Sequence, residues 1–123
     1  MRAGNQEETY EVDRLHQLYA RSLREIQAHA GQMADMETGR YFIDEAAHLL
    51  ASLRLWAQSE YRTDQAVREI LQALDAAALR DVAGQLGGIG SRDAKTASAT
   101  LAAMARLPST QLQAIAAYAL RAL

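Results

Sequence analysis

Along nearly the whole chain, apolar residues return every three or four positions, the period that turns one stripe of an α-helix toward a core. The longest run is Val12, Leu15, Tyr19, Leu23, Ile26, Ala30 and Met33. At about 100° per residue these fall in a band roughly 80° wide, with Arg14, Gln17, Arg21 and Arg24 on the other side. A helix with such a stripe gains most of its stability by packing against others. The spacing therefore predicts an all-α, compact bundle. Alanine and leucine abound, there is one proline, and the residues that favour sheet are scarce.

The punctuation divides the chain into five helices, or six if it breaks at Asp75. Asn5 with Glu8 reads as a capping box for the first helix, and Gly31 as its stop. Asp35 or Thr38 opens the second helix, whose core stripe is Phe42, Ala46, Leu49, Leu53 and Trp56. Thr63 caps the third, with Val67, Ile70, Leu71 and Leu74 at core spacing. Leu79, Val82, Ala83 and Leu86 repeat that spacing out of phase, so Asp75 should cap a new helix or mark a kink. Ser91 caps the next helix, which has a small-residue face of Ala94, Ala97 and Ser98. Pro108 ends it and Ser109 caps the last, whose stripe is Leu112, Ile115, Ala116, Ala119 and Leu123.

At 123 residues the chain is long enough for one core, and residues 1–123 read as a single domain. The lack of cysteine removes disulfides, thiolate metal sites and thiol nucleophiles together, and a reducing, cytoplasmic setting is expected. No secretory leader or membrane-length apolar run is visible. The net charge of −2 conceals a gradient: residues 1–13 are acidic, while residues 82–123 carry Arg92, Lys95, Arg106 and Arg121 against Asp93.

The stretch GQLGGIGSRDAKTASATLAAM, 84–104, has the glycines of a phosphate-binding loop. A P-loop needs glycine directly before its lysine, and Ala94 stands there; a dinucleotide loop needs glycine where Asp93 stands and should follow a strand. A helix stop at Gly87 or Gly88, followed by a start at Ser91, is the simpler reading. Carboxylate–histidine pairs at helical spacing occur at Asp13–His16, Glu25–His29 and Glu45–His48. The Glu-x-x-His form at 45–48 is that of di-iron bundles, but the companion ligands are missing, so neither metal nor cofactor is expected. No nucleophile–base set can be assembled, and no catalytic residue is assigned.

Two features point to binding. The second helix carries another line, Tyr41, His48 and Leu55, roughly 120° round from its core stripe. The last helix is apolar nearly all round, with Tyr118 and Leu120 outside its stripe. These five residues are the candidate interface of a non-enzymatic subunit that meets a protein partner or a second copy. The rival expectation is sequence-nonspecific contact with a nucleic-acid backbone inside a larger assembly, through Arg54, Arg62, Arg68, Arg92, Lys95 and Arg106. In size and architecture, though not in motif, the chain resembles the small all-helical subunits of CRISPR effector complexes.

Overall fold

The computed structural model describes the backbone from Arg2 and the side chains of residues 14–123. The Asn5–Glu8 capping box, Val12 and Asp13 lie outside the described side chains. Helix α1 is Arg2–Ala30, α2 Glu37–Ser59, α3 Asp64–Ala73, α4 Ala76–Gly87, α5 Arg92–Met104 and α6 Ser109–Arg121. A 3-10 turn, Gly31–Asp35, joins α1 to α2, and no strand occurs among the described residues.

The bundle is built around α2, which packs against every other helix and against the 3-10 turn. Over 46–57 every residue except His48 is buried. Of the second line on α2, this central position accounts for Leu55 alone, which is buried; Tyr41 and His48 stay exposed. The core face of α1 is rotated from the expected stripe. It centres on Leu18, Ser22, Ile26 and Ala30, with Leu15, Tyr19 and Leu23 half-buried at its edges. Ser22 disguised this face, because a polar residue fills a fully buried position.

Neither Asp35 nor Thr38 caps α2. Met36, in an extended conformation and without a side-chain cap bond, precedes it. The turn is fixed instead by close approach: a Cβ on Gly39 would collide with the Met33 carbonyl oxygen and stand 2.8 Å from its carbon. At the far end of α2, Arg62 N–H donates to Ala57 O (2.7 Å) and Tyr61 N–H to Gln58 O (3.2 Å), a Schellman ending. Tyr61 occupies its left-handed position, with φ of 55°.

The break at Asp75 is present. Leu74 turns left-handed (φ 43°) and the Asp75 carboxylate accepts from Ala77 N–H at 2.9 Å. Thr63 and Ser91 cap α3 and α5 by accepting from Gln65 and Ala94 N–H groups. Ser109 does not cap α6; Pro108 holds that position and Ser109 is the first helical residue. Among the clustered glycines, α4 ends at Gly87 and the left-handed residue is Gly90 (φ 84°), just before the Ser91 cap. The loop is a stop and a start. The small face of α5 does bring a neighbour close, since Ser98 Oγ donates to Ala83 O of α4 at 2.6 Å.

Candidate functional site

The arginines separate according to what already occupies them. Arg54 is 3% exposed. Its Nη1 donates to Glu25 Oε1 (2.6 Å) and Ser22 Oγ (3.0 Å), and its Nη2 and Nε reach the Asp64 carboxylate at 3.2 and 3.3 Å. Burial alone would lower its pKa; the hydrogen bonds and charges of Glu25 and Asp64 outweigh burial and hold it above the ordinary value. Arg54 is therefore a clasp joining α1, α2 and α3, not a phosphate contact, which corrects the sequence expectation. Arg62 lies over the Trp56 ring at 5.4 Å, and Arg68 is half-buried. Arg92, Lys95 and Arg106 are exposed.

The histidine pairs also resolve differently from their sequence spacing. His48 Nε2 stands 3.7 Å from Asp44 Oδ2 rather than pairing with Glu45. Glu25 gives its carboxylate to Arg54 and Arg21, while His29 Nδ1 lies 2.9 Å from the Glu25 backbone carbonyl. No cluster of three potential ligands for a metal occurs among the described residues.

Of the five candidate interface residues, two come together. Tyr41 on α2 meets Phe42 edge-on at 5.3 Å, Phe42 stacks on Tyr118 of α6 at 6.3 Å, and the Arg121 guanidinium lies 5.1 Å over the Tyr118 ring. Gln111 Nε2 donates to Tyr41 Oη at 3.0 Å, fixing the outermost ring. Tyr41 is 48% exposed, and Met36, five residues earlier, 53%. Leu120 is half-buried on α6, and His48 is exposed on another part of α2. Leu55 is 8% exposed and belongs to the core, so its place in the candidate interface is corrected: it faces neighbouring helices of its own chain.

A cavity of about 390 Å³ lies where α1, α2 and α5 meet. Leu15 and Ala51 contribute apolar surface; Tyr19 and His48 form a wall, their rings stacked at 4.4 Å. Tyr19 Oη donates a hydrogen bond to Asp44 Oδ1. That bond, with burial and the Asp44 charge adding to it, pushes the hydroxyl up to about 12, so near neutral pH it is a fixed donor. From α5, Asp93 is buried and accepts from Leu15 N–H at 3.1 Å, tying α1 to α5. Its negative charge sits in the first turn of α5, where the helix dipole favours it.

No match emerges among protein families, curated proteins or solved structures. Among the described residues no helix is long and apolar enough to cross a membrane.

Sequence reasoning missed the Tyr19–Asp44–His48 group, whose first two members are 25 positions apart. The available signal was His48 lying four residues after Asp44, one helical turn, with Tyr19 a polar-tipped member of the expected α1 stripe. Asp93 entered only as a residue that spoils a glycine motif and as the lone acid of the basic C-terminal part.

Proposed function

We propose that this chain is a non-enzymatic helical subunit that works through protein–protein contacts in a cytoplasmic setting. Its contact surface is the aromatic patch of Tyr41, Phe42, Tyr118 and Arg121. The observation that carries the reading is the stacked and hydrogen-bonded order of that patch together with the exposure of Tyr41. Tyrosine and arginine dominate the few residues that supply most interface energy, and rings already held in place lose little freedom on binding. Arg121 adds a charge that can pair across the contact.

Tyr61 supports the same reading. It is 98% exposed and holds a left-handed conformation that glycine would adopt more cheaply. The nucleic-acid reading loses Arg54, its most central residue, to Glu25 and Asp64.

The test is a Tyr41→Glu/Arg121→Glu variant, whose substitutions fall on exposed positions and should leave the helical spectrum unchanged. Solution mass and co-purification from the native source should both report weaker association than wild type. If the wild type is monomeric at high concentration and co-purifies with the same proteins as the variant, the proposal fails. Salt-sensitive retention on RNA that survives the patch variant would favour the nucleic-acid reading instead.

A further inference from the structure

The cavity between α1, α2 and α5 shares no residue with the aromatic patch, and the proposed contact surface does not account for it. It is a half-open cleft of about 390 Å³, within the size range of small-molecule sites. Small residues on α2, Ala51 and Ser52, leave this space open beside Leu15.

Its wall is held in place before any ligand arrives. Asp44 accepts from the Tyr19 hydroxyl and stands 3.7 Å from His48 Nε2, and it therefore orients both members of the stacked pair. His16 continues the row, its ring 6.3 Å from that of Tyr19. Aromatic walls of this kind favour a flat ring, by stacking against its face or meeting its edge.

The polar groups restrict the ligand further. Thr96 and Thr100 spend their hydroxyl protons on carbonyls of their own helix, Arg92 O and Thr96 O, each at 3.1 Å. Their oxygens retain lone pairs and can accept from a ligand N–H. His16 is exposed at the rim and offers a ring nitrogen. Arg92 and Asp93, adjacent and opposite in sign, give the lining no net charge that would offset the desolvation of an ionic ligand.

From this geometry we infer that the cavity binds a small, uncharged, planar heterocycle of nucleobase size, seated against Tyr19 and His48 and hydrogen-bonded at its edge by Thr96, Thr100 and His16.

The full-length chain, labelled for amide NMR, would be titrated with adenine, cytosine and benzimidazole, and separately with benzoate, benzylamine and inorganic phosphate. At least one neutral heterocycle should produce saturable shifts at Tyr19, His48 and Thr96, and bind more tightly than each of the charged probes. Thr96→Trp places an indole at the mouth from an exposed helical position, and His48→Ala removes half the wall from another. Both should weaken heterocycle binding by about tenfold or more while the amide spectrum stays that of a folded helical chain. The inference is overturned if no heterocycle saturates, if a charged probe binds as tightly, or if binding is undiminished in a folded variant of either kind.

Discussion

Tyr61 sits where a helix ending of this type ordinarily carries glycine, and its side chain is almost wholly in water. The left-handed backbone costs an L-residue energy that this exposed ring recovers nowhere within the described residues. Tyr61→Gly should therefore raise stability by about 0.5–1 kcal/mol, the relief of strain exceeding the extra freedom gained by the unfolded chain. Denaturant melts would measure it, and a loss of stability would show that the ring is needed by the fold. Leu74 shares the backbone conformation but is half-buried against the core, so its side chain has a packing reason that Tyr61 lacks. Arg54 is the opposite case, a buried charge with three partners. Its burial could not be read from the sequence, where an arginine four positions before Gln58 and eight before Arg62 looks like part of a basic surface.

At the scale of elements, the start of α2 depends on contact across the turn and not on a cap. Gly39→Ala would drive a methyl group into the Met33 carbonyl, and backbone on both sides would have to part. A loss of about 1–3 kcal/mol is expected, against the roughly 0.8–1 kcal/mol that alanine for glycine usually gains in a helix interior. Chemical denaturation of the single variant checks this; a neutral result would mean that the turn relaxes freely. That contact illustrates which parts of the fold were legible. Caps at Thr63, Asp75 and Ser91, and the out-of-phase quartets of α3 and α4, follow from local chemistry and appear as expected. The opening of α2 and the rotated face of α1 follow from contacts distant in sequence. Pro108 rather than Ser109 precedes α6, because the proline's extended ψ of 143° already lies outside the helix. The candidate patch was legible as separate residues, Tyr41 and Tyr118, but their meeting through Phe42 spans 77 positions and depends on how α6 crosses α2. In the second line of α2 only Leu55 faces neighbouring helices, and the sequence could not separate it from the exposed Tyr41 and His48.

For the molecule as a whole, the Tyr19–Asp44 bond links α1 to α2 and makes stability sensitive to alkali. The folded-state pKa of about 12 exceeds the ordinary 10.0, so the hydroxyl keeps its proton to higher pH when folded than when unfolded. The stability this contributes is complete below pH 10 and drains as pH climbs through 12. Thermal melts across that window should show wild type losing stability more steeply than Tyr19→Phe, with the variant less stable below pH 10. Parallel curves would show that the bond contributes nothing. The placement of the lone tryptophan has a separate consequence, for optical spectroscopy. Trp56 is buried on the central helix, its Nε1–H donates to Gln85 Oε1 of α4 at 2.8 Å, and Arg62 covers its ring. Its fluorescence reports on a position touched by unfolding anywhere in the bundle, without interference from a second indole. The emission should be blue-shifted and hidden from iodide in the native state, and the shift to the red on unfolding would follow the loss of the whole core in one signal.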